Sequence, residues 1–348
     1  MVDWSESEIV ILKENYASKN REELEKLLPQ HTYHSIRDEA SELGIHKQAI
    51  IVDRKELAKD KKNLWEFLKQ AKAEFEKDNL EQGEITIKFP VDEGYWGLIP
   101  IGDLHIGSNG VDYEQLQYDI KEISKADGVS VLLNGDIIDN MTTNASPTGA
   151  SFEELITPKL QKQIAEDIIE SLFGKIVAVI QGQHDNWSYL CDNFLVGEYL
   201  AKLAKSAYMG FGGFLNIQFG SVRYRMFARH SYRFESELNP SNSLRRAHQI
   251  LGSYDLGVLG DKHIYNTELT NIANQRVVMI RTGTYKQYDE YARRLGFGAG
   301  QYGVPLVIFC RDVKRLIVFD NFYEGLRYLD FLRGLVPRED RREQGGLE

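Results

Sequence analysis

Four short stretches of the chain carry side chains that can bind metal: Asp103-Leu104-His105, Gly135-Asp136, Gly182-Gln183-His184-Asp185 and Gly260-Asp261-Lys262-His263. Mixed carboxylate, imidazole and amide donors suit manganese, iron or zinc better than calcium, which takes oxygen alone. Asp103 and His105 are two residues apart. On extended backbone such side chains point the same way, so both can reach one ion. A lone Asp-x-His occurs in many loops by chance, but here similar elements recur in order. Each stretch closes an apolar run of strand length, at residues 99–101, 131–134, 176–181 and 256–259. Open α/β sheets place their ligands at the carboxyl ends of strands. Four strands delivering Asp, His and amide groups to one edge describe a metal site.

The elements that must position these groups begin near Glu84, with a strand over 85–89. Helices and strands then alternate to about residue 260, the pattern of α/β layers. The last third is richer in strands, at 222–228, 276–281, 304–309 and 315–319. The loop over 140–149 is polar and sits beside the proposed site, where substrate-contacting loops are usually found. Ahead of this region, residues 3–47 read as three helices. Ser5 and Glu8 form a capping box for the first, whose stripe is Ile9, Leu12 and Tyr16. The second spans 21–28 with Leu24, Leu27 and Leu28 inward. Pro29 stops it, Thr32 caps the third with Ile36, Ala40 and Leu43, and Gly44 ends that one. The domain boundaries read as 1–48 for this module, 49–83 for a charged linker with a helix over 60–77, 84–336 for the α/β domain, and 337–348 for a disordered tail.

The chain has 348 residues and a formal charge of −10, which argues against indiscriminate coating of nucleic acid. Any DNA contact must come from local basic patches. No run of 18 apolar residues and no basic start with an apolar follow-on are present, so neither a membrane span nor a signal peptide is expected. Cys191 and Cys310 lack CxxC spacing and read as reduced, buried thiols of a cytoplasmic protein.

Residues 95–325 resemble the calcineurin-like metallophosphoesterases. The family's blocks stand here, in order, as Asp103-Leu104-His105, Gly135-Asp136-Ile137-Ile138-Asp139, Gly182-Gln183-His184-Asp185, Arg229-His230-Ser231 and Gly260-Asp261-Lys262-His263. The resemblance implies a four-layer αββα sandwich and two divalent ions, manganese first, with iron, zinc or magnesium as alternatives. It implies that Asp103, His105 and His263 hold one ion, that Asp136 bridges, and that His230 holds the second. His184 would sit over the scissile phosphate, with Asp185 orienting its ring. Two such cations neutralise a phosphodiester, activate a bridging water and stabilise attacking and leaving oxygens. Two positions depart from the pattern: Gln183 replaces an Asn, and Asp261 replaces the first His of the last block. Both belong to the second ion's shell, and both can still ligate a hard ion. Catalysis is expected to survive.

The N-terminal helices, with Trp4 before the first and Leu43-Gly44-Ile45 after the third, resemble Myb/SANT-like helix-turn-helix modules. There the third helix enters the major groove. Here it would present Tyr33, His34 and Arg37, although residues 1–50 carry ten acids against six Lys/Arg. A protein-docking bundle is the competing reading. In the α/β domain, residues 223–246 hold six arginines against two glutamates, and 281–294 interleave basic residues with tyrosines. Arg with Tyr suits a groove for phosphates and exposed bases. The candidate DNA contacts are Arg229, Arg233, Arg245, Arg246, Arg281 and Lys286, although alternate strand residues can simply be solvated. A DNA-binding-like module joined to such a core looks like phosphoesterases of phage and prophage DNA-metabolism regions. The leading expectation is a manganese-dependent DNA phosphodiesterase, and a homodimer stays open. The alternative is a phosphatase on a small molecule or phosphoprotein with a docking module. A DNA-binding protein with a decayed site is the third reading.

Overall fold

A computed structural model describes residues 4–17, 19, 21–45, 64–70, 72, 85–142, 154–236, 238–288, 293, 296 and 298–335. The chain divides into two compact units, Met1–Gln82 and Gly83–Glu348.

In the first unit, α1 (Glu6–Asn15), α2 (Arg21–Leu27) and α3 (Tyr33–Glu42) enclose a small core of Leu12, Tyr16, Leu24, Leu28, Ile36 and Ala40. Ser5 caps α1 reciprocally with Glu8, and Thr32 accepts from the Ser35 amide to start α3. Trp4 stacks on the buried ring of His31 at 3.7 Å. Leu27, expected inside, is exposed, because a seven-residue helix turns only Leu24 and the following Leu28 to the core. Residues 64–70 are helical. The rest of the expected linker helix, apart from residue 72, lies outside the described residues, as does the 337–348 tail.

The second unit contains two six-stranded sheets. One runs β1 (Ile85–Lys88), β6 (Gly212–Phe219), β7 (Val222–Arg229), β8 (Leu256–Leu259), β10 (Gln275–Arg281), β9 (Asn266–Ile272). The other runs β12 (Leu316–Phe319), β11 (Leu306–Cys310), β2 (Tyr95–Ile101), β3 (Val129–Asn134), β4 (Ile176–Ile180), β5 (Ala207–Tyr208). The period-2 alternation of each strand sorts its apolar residues between cores. Tyr224, Met226 and Ala228 of β7, Val278 and Ile280 of β10, Leu132 of β3 and Val307 and Phe309 of β11 meet in one core between the sheets. Their neighbours face outward. Val131, Leu133, Leu306 and Ile308 pack under α4 (Tyr113–Lys125), α5 (Pro158–Ser171), α7 (Val196–Ala204) and α9 (Phe322–Leu335). Phe227, Val277 and Met279 pack under α8 (Asn242–Leu251). The result is the four-layer αββα sandwich expected.

Among the described residues, no helix is long and apolar enough to cross a membrane. Cys310 is buried as expected, but Cys191 is exposed. It lies on α6 (Asn186–Asp192), a short helix that buries only Ser188.

Candidate metal centre

β2, β3 and β4 run parallel, and so do β7, β8 and β10. The candidate residues follow the carboxyl ends of these strands. Asp103 and His105 are not extended, contrary to the sequence reading: β2 stops at Ile101, and the two sit at φ 53° and 46°. Asp136, Asp261 and His263 are also left-handed, at φ 48°, 71° and 55°. Each costs a non-glycine residue about 1 kcal/mol, and such strain persists where the surroundings enforce it. The enforcement is visible. Asp103 and His105 amides donate to the carbonyls of Gly135 and Asp136 at 2.9 and 3.0 Å, and the Gly260 amide donates to the His230 carbonyl at 2.8 Å. A Cβ at Gly182 would stand 2.0 Å from the Asp136 amide nitrogen, so only glycine lets the loop after β4 lie against the loop after β3.

Within this frame the donor atoms converge. Asp103, His105 and His263 form one cluster, and Asp103, Asp136 and His230 a second, with donors in each within 4.8 Å of one another. Asp103 Oδ1 lies 3.4 Å from His263 Nε2 and 3.9 Å from both His105 Nε2 and His230 Nε2. His105 Nε2 and His263 Nε2 face each other at 2.9 Å. His230 Nδ1 donates to the Asn134 carbonyl at 2.7 Å, leaving Nε2 buried without a hydrogen-bond partner, 3.0 Å from Asp136 Oδ2. Burial, with His184 adding to it, pushes His105 down to about 4. Its Nδ1 donates to Asp139 at 2.7 Å, so a neutral ring offers the Nε2 lone pair. Asp103, Asp136, Asp139 and Asp185 are all buried, a density of negative charge that asks for cations. The buried imidazole nitrogens, converging with the carboxylates of Asp103 and Asp136, make a donor set that fits divalent ions.

Gln183 and Asp261 differ in placement. Asp261 lies at the edge of the cluster, with Oδ1 4.0 Å from His230 Nε2 and Oδ2 2.8 Å from Lys262 Nζ. Gln183 is exposed, and its amide donates to Ser231 Oγ at 3.4 Å.

His184 joins the cluster through His105 and Asp136. Its Nδ1 donates to the Asp139 carbonyl at 2.7 Å, and its ring lies 4.1 Å from that of Trp187. Burial opposes a charge on it, but Asp136 and Asp139 outweigh this and raise it to about 9. The sequence reading gave Asp185 the task of orienting this ring, but its carboxylate is turned to backbone amides instead. Its carboxylate accepts from the amides of Ile137, Ile138 and Gly182 at 3.0 to 3.2 Å, pinning the loops after β3 and β4 together. Asp139 has the positioning part instead. It closes the Gly-Asp-x-x-Asp block, so its signal was in the sequence without a role attached. Asn140, whose amide donates to the His184 carbonyl at 2.7 Å, had no such signal.

The basic residues expected at DNA divide. Arg281 is buried, donating to the Gly260 carbonyl at 2.8 Å and to Glu235 at 2.5 Å. Lys286 is buried 3.2 Å from Asp139 Oδ1. Arg281 thus pairs with the half-buried Glu235 and Lys286 with the buried Asp139, and neither cation faces solvent. Arg245 is half-buried and paired with Glu268. Arg246 and Arg233 are exposed beside the Phe234 ring. Arg229 and Arg233 line an open cleft of about 460 Å³ with Gln183, Tyr232, Asp261 and Lys262. In the N-terminal unit His34 and Arg37 are exposed on α3 and share Asp38, while Tyr33 is half-buried under Arg21. Part of the 140–149 loop, residues 143–149, and Tyr291 and Arg294 lie outside the described residues.

No family model matches the chain, and no curated protein does. Solved structures with a related arrangement include vacuolar protein sorting 29 from Cryptosporidium parvum, at 13% identity over 66% of this chain and 92% of that one, TM-score 0.36. A conserved protein of Streptococcus pneumoniae described as a predicted phosphoesterase matches at 15% identity over 65% and 98%, TM-score 0.30. The Pseudomonas putida nuclease MPE matches at 11% identity over 64% and 87%, TM-score 0.31. At TM-scores this low, these likenesses decide nothing about the chemistry of this chain.

Proposed function

We propose that the chain is a divalent-metal-dependent phosphodiesterase of the calcineurin-like type, acting on DNA. One observation carries the reading: at the strand ends of both sheets, Asp103, His105, Asp136, His230 and His263 aim their donor atoms at one another, with His184 held beside them. Asp103, His105, Asp136 and His263 would hold one ion, and Asp136, His230 and Asp261 the other. Such ions would neutralise the phosphate and lower the pKa of a water between them.

The protein's own groups do the rest. Asp139 holds the His184 ring by its Nδ1, so that Nε2 presents a proton to a phosphate oxygen or the leaving oxygen. Asp185 keeps the loops after β3 and β4 in register. Arg229 and Arg233, beside Tyr232 and Phe234, give the cleft charge and stacking faces for a nucleic-acid backbone. Manganese is the first candidate because nitrogen and carboxylate donors are mixed.

The test is cleavage of end-labelled linear and closed-circular DNA with Mn(II) by the wild type and by His184→Ala. Cleavage that EDTA abolishes and the mutation cuts about 100-fold or more supports the reading. The circle separates endonuclease from exonuclease action. Intact DNA together with hydrolysis of a chromogenic monoester would replace it with a phosphatase.

A further inference from the structure

The two halves of the proposed centre are built unequally. Around Asp103, His105 and His263 the ion pairs are with one another, and the buried Lys286 ammonium lies 3.2 Å from Asp139, which is not among these donors. The other half is different. Asp261 divides its carboxylate, turning Oδ1 toward His230 at 4.0 Å and giving Oδ2 to Lys262 Nζ at 2.8 Å. Its backbone is fixed as well: the Asp261 amide donates to both Asp103 carboxylate oxygens at 3.2 Å, and φ is 71°. The loop that carries Asp261 and Lys262 is thus held against Asp103, which keeps the carboxylate and the ammonium within reach of the same half of the centre. Gln183 is exposed and donates to Ser231 Oγ at 3.4 Å, so the longer amide is engaged at the rim of the cleft.

We infer that Lys262 is a built-in competitor for the second ion, so that the chain holds one divalent ion tightly and exchanges the other. The inference rests on the metal-dependent reading above. Asp136 and His230 are the two donors of that half not shared with a lysine, and an ammonium paired to the third weakens a cation there by about tenfold. Lys262 lines the cleft with Arg229 and Arg233. When a cation takes Asp261, the released ammonium is placed to meet a phosphate of the substrate. Loading of the second ion and engagement of the phosphodiester would then favour one another.

The experiment is calorimetric titration of metal-stripped full-length protein with Mn(II), read in parallel by the manganese electron paramagnetic resonance signal. Wild type, Lys262→Met and Gln183→Asn are compared, with circular dichroism to verify folding. The wild type is expected to bind one ion at least about tenfold more tightly than the second. Lys262→Met should tighten the second site by about tenfold and leave the first unchanged. Gln183→Asn, which shortens the amide by one methylene, leaves Lys262 in place and should keep the two sites unequal. Two ions of equal affinity in the wild type overturn the inference while leaving the metal-dependent reading intact, as does a second site that Lys262→Met fails to tighten. If Lys262→Met does not fold, Lys262→Gln takes its place. No ion bound at all overturns both.

Discussion

Asp139 binds no ion in this account, yet it touches more of the chemistry than any other acid. Its carboxylate takes His105 Nδ1 at 2.7 Å and Lys286 Nζ at 3.2 Å, while its carbonyl takes His184 Nδ1. Asp139→Asn should therefore lower kcat by about 10- to 100-fold with little change in KM, because ring positions are disturbed and the cleft is not. Steady-state kinetics on a diester substrate would show it. His184 carries a pH signature. Raised to about 9 by Asp136 and Asp139, it is protonated at neutral pH and loses its proton as pH rises. Bound cations repel the imidazolium and bring that value down. Turnover should thus fall along an alkaline limb at or below about pH 9, and the limb should shift toward acid in Asp139→Asn.

Among the elements, α4 is tied to the site by one buried carboxylate. Asp119, fully buried, accepts from the hydroxyls of Tyr285 and Tyr302 at 2.7 Å each, from Tyr323 on α9, and from Gln115. Tyr285 also donates its amide to the Asp103 carbonyl at 3.2 Å, so this node anchors the segment after β10 against the metal cluster. Asp119→Asn leaves one acceptor oxygen for several hydroxyls and should cost about 3 kcal/mol in denaturant unfolding. Burial and then the Asp119 charge raise the Tyr285, Tyr302 and Tyr323 hydroxyls. Their folded values exceed the unfolded value of about 10, so this stability is intact below that pH and lost as pH rises above it. Thermal unfolding should show a steep alkaline decline that is weaker in Asp119→Asn. None of this was legible in the sequence, because Asp119 and its tyrosines lie up to 204 positions apart and no periodicity links them. The strands were legible, since alternation and apolar runs report burial directly. The left-handed turns at Asp103 and His105 were not: tertiary hydrogen bonds between loops impose them. The same limit explains Arg281 and Lys286, whose charge reads as surface until Glu235 and Asp139 are brought to meet them.

Across the whole molecule, the two units enclose separate cores, six residues in the first and the layered sandwich in the second. A protein reduced to residues 83–348 should therefore fold and keep its turnover of a small diester within about twofold, while losing about tenfold or more in affinity for duplex DNA. Electrophoretic mobility shifts would read the affinity. Unchanged affinity would make the N-terminal helices a docking module for another protein. The acidic total, −10 over the chain, makes either outcome depend on local charge, such as the exposed Arg233 and Arg246 beside Phe234.

The cluster at the strand ends is proposed as a metal-dependent phosphodiesterase centre. Its most direct measurement is hydrolysis of bis(p-nitrophenyl) phosphate by metal-stripped protein as Mn(II) is added back, for the wild type, Asp136→Ala and His184→Ala. No turnover is expected without metal, with saturable recovery when it is added, loss of that recovery in Asp136→Ala, and a fall of about 100-fold in His184→Ala. Turnover that persists in EDTA, or that survives Asp136→Ala, would contradict it.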